Sequence, residues 1–192
     1  MTVVFDISIS LDGYITAAHQ TAAEPMGAGG LVLHDWCWSG DPAGQRIGTA
    51  AAARSKAVVC GRRVYEHSLP WWKADGPKGD ARTPVFVVTH ETPAESPGNG
   101  VYEFVTGGIE EALDRAKKAA AGGDVEVLGG AHLARQYLQA GLVDEILLHV
   151  VPILFGDGTR LFDAMPIDHT RLETVDVTRT RFATHLRYRV ER

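Results

Sequence analysis

Short apolar segments of four to nine residues alternate with helix-like stretches along the 192-residue chain, and this alternation restricts the fold more than any other feature. It is the pattern of an α/β domain built on one sheet. Val3 to Ile9 reads as the first strand, with Val3, Phe5, Ile7 and Ile9 on one face and Asp6, Ser8 and Ser10 on the other. Further strands are expected at Lys56 to Cys60, Val85 to Val88, Val101 to Val105, Val125 to Leu128 and Ile146 to Phe155, the last carrying His149, with a terminal hairpin over Arg171 to Arg192. Asp41 and Pro42 form an N-cap and N1 pair that starts a helix ending near Ser55. Ile109, Ala112, Leu113, Ala116 and Ala120 recur at helical spacing before Gly122-Gly123, and a later helix runs through Leu133, Tyr137 and Leu138 to Gly141. No linker separates these units, so residues 1–192 are expected to form a single domain.

The 19 Lys and Arg against 24 Asp and Glu leave a formal charge of −5, which argues against a general nucleic-acid or membrane-surface binder. Two cysteines, Cys37 and Cys60, make neither a cysteine-rich zinc site nor a disulfide framework, and no metal is expected. With no export signal or apolar run of membrane-spanning length, the expectation is a cytoplasmic protein. Between Leu11 and Gly40 lies a long Gly-rich stretch without a regular pattern, read as a substrate lid whose Gly27, Gly29 and Gly30 permit closure and whose Trp36 and Trp38 cover a pocket. A second loop, from Trp71 to Pro84, separates the helix after Gly61 from the next strand.

Two turns have the chemistry of anion sites. In Val127-Leu128-Gly129-Gly130-Ala131-His132-Leu133 a buried strand passes through two glycines into a helix, so a phosphate can approach backbone N–H groups at the positive end of a helix dipole. Tight strand–helix packing uses the same glycines, and the run is not the G-x-G-x-x-G fingerprint. Gly61-Arg62-Arg63 places two guanidiniums at the end of another strand, suited to bidentate grip on phosphate. Together they fit a ligand with separate phosphates, such as a dinucleotide carrying a 2′-phosphate.

The chain resembles the dihydrofolate reductase-like superfamily, in particular the branch holding the C-terminal reductase domain of the riboflavin-biosynthesis deaminase/reductase. The resemblance rests on Ser10-Leu11-Asp12-Gly13-Tyr14-Ile15, Gly61-Arg62-Arg63-Val64-Tyr65-Glu66, Val127-Leu128-Gly129-Gly130-Ala131, and Gly141-Leu142-Val143-Asp144-Glu145 leading to Pro152-Ile153-Leu154-Phe155-Gly156-Asp157-Gly158. It implies a three-layer α/β/α fold with a central mixed, mostly parallel sheet and an antiparallel C-terminal hairpin. It further implies NADPH across the strand ends: Gly61, Arg62 and Arg63 at the 2′-phosphate and pyrophosphate, Thr89 and His90 on the adenine-ribose side, Gly129, Gly130, Ala131, His132 and Leu133 under the pyrophosphate, and Ile15 and Thr16 beside the nicotinamide.

The activity so implied is NADPH-dependent hydride transfer to a small pterin- or aminopyrimidine-like heterocycle, such as 5-amino-6-(5-phosphoribosylamino)uracil, by a homodimer that pairs through the strand from Ile146 to Leu154 and the tail hairpin. An ungapped count back from Gly61 puts Gln45 where dihydrofolate reductases hold the pteridine with a carboxylate. That leaves Asp41, one turn earlier, and Asp12 as the candidate catalytic acids, each with a capping role as the simpler reading. The departure at Gln45 also keeps open an NADPH-binding module without catalysis, and a flavin-dependent oxidoreductase would use the same phosphate turns. Arg46 and Arg160 are the available anchors for a phosphorylated substrate.

Overall fold

The computed structural model describes residues 1–163, 165 and 169–191. In chain order the strands and α-helices are β1 (Val3–Ser10), β2 (Tyr14–Ala17), α1 (Asp35–Trp38), α2 (Pro42–Arg54), β3 (Ser55–Gly61), α3 (Arg62–Trp72), β4 (Val85–Val88), β5 (Tyr102–Val105), α4 (Ile109–Ala120), β6 (Asp124–Leu128), α5 (Ala131–Gln139), β7 (Glu145–Val151), β8 (Gly158–Arg160), β9 (Leu172–Arg179) and β10 (Thr184–Val190). The main sheet has the order β5-β4-β3-β6-β1-β7-β10-β9. It is parallel from β5 to β7; β10 and β9 extend it antiparallel. Arg192, the last residue of the expected hairpin, lies outside the described residues.

Two helix layers cover the sheet, and the alternation along β1 shows which side each occupies. Phe5 and Ile9 share an apolar cluster with Ala57, Val59 and Val127, closed by Ala112, Leu113 and Ala116 of α4 and Leu133, Ala134 and Tyr137 of α5. Val58 and Cys60, on the opposite face of β3, pack against Tyr65 of α3. Still on that second face, Trp36 of α1 donates from Nε1 to Ser8 Oγ at 2.9 Å.

The region from Leu11 to Gly40 departs from the expected open lid. It contains β2, a 3-10 turn at Gly30–His34 and α1, and Trp36 is buried. Gly27 is no hinge: at φ 78°, a Cβ there would lie 2.2 Å from the carbonyl oxygen of Ala17, so the residue exists to let two backbones meet. Gly44 does the same for α2, where a Cβ would fall 1.7 Å from the Trp36 carbonyl oxygen. Trp71 and Trp72 close α3 rather than starting a loop, although Pro70 lies inside the helix. The apolar run after Ile146 leaves the sheet at Val151, because Pro152 has no N–H for the ladder and the Ile153 N–H bonds back to the Val151 carbonyl at 2.8 Å.

Candidate functional site

β3 and β6 are parallel neighbours, so the turns that follow them emerge side by side at the carboxyl edge of the sheet. Each opens a helix without a side-chain cap: Gly61 is the N-cap of α3 and Gly130 that of α5. The first-turn N–H groups of both helices are therefore left for a ligand or water. Gly129 and Gly130 take φ values of 60° and 76°, and a Cβ on Gly130 would meet Val64 of α3 at 3.1 Å. A Cβ on Gly61 would stand 3.9 Å from Leu133 Cβ. Backbone donors from two helices thus face one shared space, with the geometry that phosphates occupy at helix N-termini.

Around this space the expected cofactor residues assemble in part. Arg62 pairs with Glu66 at 2.5 Å and its Nη1 approaches Thr89 Oγ1 at 3.4 Å and the Glu91 carbonyl at 3.0 Å, so the α3 turn and the end of β4 form one patch. Arg63 and His90 are exposed beside it. Ala131 and Leu133 are buried in the first turn of α5, and His132 is exposed with its Nδ1 3.0 Å from Gln136 Nε2. Ile15 lies buried in the same apolar cluster as Leu133, while Thr16 Oγ1 accepts from the Thr159 N–H of β8 at 3.2 Å. The residues present fit a phosphate-bearing dinucleotide.

The two candidate acids are placed differently. Asp12 is a clamp: its carboxylate accepts from Ser10 Oγ at 2.6 Å and from the N–H groups of Phe155 and Gly156 at 3.1 and 2.7 Å, tying the turn after β1 to the segment after β7. The Ser10 hydroxyl above all, with these two N–H groups, lowers its pKa to about 2, which leaves an anion and no proton to give at neutral pH. Asp41 caps α2 through the Ala43 N–H at 3.4 Å, and its Oδ2 is buried without a hydrogen-bond partner among the described residues. Gln45 is exposed, so the ungapped count does not bring that position onto the sheet.

Other polar residues carry the centre of the second face. His149 Nε2 is 2.9 Å from Asp6 Oδ1, His149 Nδ1 is 2.6 Å from His185 Nδ1, and His185 Nε2 is 3.1 Å from Thr180 Oγ1. The Trp36 ring lies over both imidazoles, with centroids 4.0 Å from His149 and 5.0 Å from His185. Burial, and then the neighbouring His149, lowers the His185 pKa to about 4, so it is neutral at pH 7. Nearby, Lys78 Nζ meets the buried Glu126 carboxylate at 2.6 Å; burial raises the pKa of that acid and Lys78 opposes the rise. The sequence held one signal for this cluster: β1 is flanked by strands and covered on both sides, yet Asp6, Ser8 and Ser10 are polar at alternate positions.

Comparison with known proteins gives the family and the fold. The model of the RibD C-terminal domain matches residues 1–186. The chain belongs to the RibD C-terminal domain family. Among curated relatives, an uncharacterized Bacillus subtilis protein, YyaP, is 26% identical over 170 residues, 83% of this chain and 79% of that one. A putative riboflavin biosynthesis protein from Shewanella sp. PV-4 superposes with a TM-score of 0.76 at 22% identity, with full coverage of both chains. The deaminase/5-amino-6-(5-phosphoribosylamino)uracil reductase of Thermotoga maritima superposes at 0.66 and 15% identity, over 98% of this chain and 56% of that larger protein. Dihydrofolate reductase from Enterococcus faecalis, solved with NADP(H), gives 0.59 at 14% identity over 100% and 97% of the two chains. The fold of this RibD C-terminal domain is therefore the dihydrofolate reductase-like α/β fold.

Proposed function

We propose that the protein is an NADPH-dependent reductase acting on a small nitrogen heterocycle of pterin or aminopyrimidine type. The observation that carries this reading is the pair of uncapped helix N-termini, α3 and α5, facing one space at the carboxyl edge of two adjacent parallel strands. Gly129, Gly130 and the first-turn N–H groups of Ala131, His132 and Leu133 hold the pyrophosphate. Arg62 and Arg63, with Thr89 and His90 beside them, take the 2′-phosphate and the adenosine end, and Ile15 and Thr16 flank the nicotinamide. When bound, NADPH supplies the hydride and its two electrons.

The protein contributes position and exclusion of water. Asp12 locks the β1 turn against Phe155 and Gly156, which fixes the segment carrying Ile15 and Thr16. Trp36, seated against α2, closes the second face of the sheet above His149. Of the expected dimer surface, the strand from Ile146 is interior, because β7 lies between β1 and β10; the tail hairpin remains, and its exposed edge strand β9, with Leu172, Val175 and Val177 open to solvent, is the surface on which a homodimer forms. Both thiols, Cys37 and Cys60, are free, in keeping with a reducing cytoplasm.

Calorimetric titration with NADPH and with NADH tests the cofactor assignment, and NADPH oxidation across pterins and aminopyrimidine ribosyl phosphates tests the reaction. The expected result is saturable binding that favours NADPH and oxidation with one ring class. Tight NADPH binding without oxidation assigns a binding module instead; a yellow protein with a flavin absorption band assigns a flavoenzyme.

A further inference from the structure

Asp6 is a carboxylate where the fold calls for an apolar side chain. It lies in the middle of β1, a strand with hydrogen-bonded neighbours on both sides and helices over both faces, where apolar residues are the rule. Its Oδ1 is held by His149, whose side chain is 1% exposed, whereas Asp6 keeps 18% exposure and its Oδ2 makes no hydrogen bond with a described residue. The group is thus anchored from below and open above.

Register locates that opening. The Cα of Asp6 pairs with that of Leu128, the last residue of β6 and the one before Gly129-Gly130. β1 continues to Ser10 after β6 has turned away, so Asp6 stands at the level where the phosphate turn begins. At the start of α2, Gln45 is exposed and uncharged, and Asp41 caps the helix through Oδ1 with its Oδ2 buried.

We propose that Asp6 is the substrate-facing carboxylate of this chain, binding the N–H edge of a flat nitrogen heterocycle through Oδ2, and that His149 and His185 are its positioning residues. The inference rests on the reductase reading above and names the side chain that reading leaves open.

The hydrogen-bond chain runs from Asp6 through both imidazoles to Thr180. Asp6 Oδ1 meets His149 Nε2, His149 Nδ1 and His185 Nδ1 share the next hydrogen bond, and His185 Nε2 lies 3.1 Å from the Thr180 Oγ1 that donates to the Ala183 carbonyl. Every nitrogen in the chain then has a partner, and neither imidazole turns. Charged and titratable groups around the cluster are His34, Asp35 and Cys37 on the α1 side, Asp41 at the start of α2, and Glu126 with Lys78 on the β6 side.

The probe is 2,4-diaminopyrimidine, a flat nitrogen heterocycle whose amino groups present N–H donors. It is titrated calorimetrically into the NADPH-saturated protein and into the protein alone, wild type and Asp6→Asn. The expected result is binding by the wild type that is at least tenfold weaker in Asp6→Asn, with NADPH affinity unchanged within twofold. In ¹⁵N-histidine spectra of the wild type, the probe is expected to move the His149 Nε2 resonance, a reading that needs no variant to fold. If the wild type does not bind the probe, if Asp6→Asn binds it equally, or if the His149 resonance stays in place, the assignment of Asp6 is wrong. Failure of NADPH to bind overturns the reductase reading alone, because the probe titration without cofactor still reads Asp6.

Discussion

The two faces of β1 are built from the same eight residues and have opposite characters. Odd positions, with Phe5 and Ile9 at their centre, are sealed into the apolar core under α4 and α5. Even positions present Asp6, Ser8 and Ser10 to Trp36, His149 and the turn at Asp12. On the reading proposed above the first face sets stability and the second carries chemistry, at the cost of burying imidazoles that an apolar strand would avoid. If that division is right, substitutions on the two faces fail in different assays.

The largest effect belongs to the apolar face. Phe5→Ala is expected to lower stability by about 3–5 kcal/mol in urea denaturation, with NADPH affinity unchanged in whatever folds. A loss no greater than that of Asp6→Asn would break the comparison.

Acid acts on the other face. His185 has a pKa near 4 in the folded protein against 6.5 in an open chain, so the unfolded chain binds more protons between those values. Stability is complete above pH 6.5 and falls as the pH drops toward 4, by about 2 kcal/mol between pH 7 and pH 5 from this group. His34, lowered in the same direction by burial, adds to the fall. Urea midpoints at the two pH values check it; a flat profile, or one that rises toward acid, contradicts a neutral His185.

Smaller effects concern the turns. Gly130→Ala forces a side chain at φ 76° and 3.1 Å from Val64, and is expected to weaken NADPH at least about tenfold, or about 1.4 kcal/mol. Arg62→Ala is expected to cost NADPH about tenfold and NADH much less, because only the former carries the 2′-phosphate. Equal losses by calorimetry would remove Arg62 from that role. The smallest effect is Gln45→Ala, exposed on α2, within about 0.5 kcal/mol in stability and neutral in binding.

Much of this architecture was legible in the residues. Long periodic elements such as α4, and strands bounded by glycine such as β6, are specified by local pattern, and Asp41-Pro42 marks the start of α2. The stretch from Leu11 to Gly40 was not, because a four-residue strand, a five-residue 3-10 turn and a four-residue helix hold together only through tertiary contacts, chiefly the seating of Trp36 on Ser8, His149 and α2. The two glycine turns after β3 and β6 were readable because glycine followed by a helix start is a local signal. The Asp6–His149–His185 cluster joins residues up to 143 positions apart through strand order and antiparallel register, and neither is written in a local pattern. The polar alternation of β1 marked its face but not its partners.

The central claim is that the paired turns after β3 and β6 form a dinucleotide phosphate site. Calorimetric titration of NADPH into the wild type and Gly130→Val, with folding of the variant verified by circular dichroism, tests it most directly. The account predicts saturable binding at one site per chain in the wild type and loss of binding in the variant. No saturable binding by the wild type, or undiminished binding by a folded Gly130→Val, would contradict it.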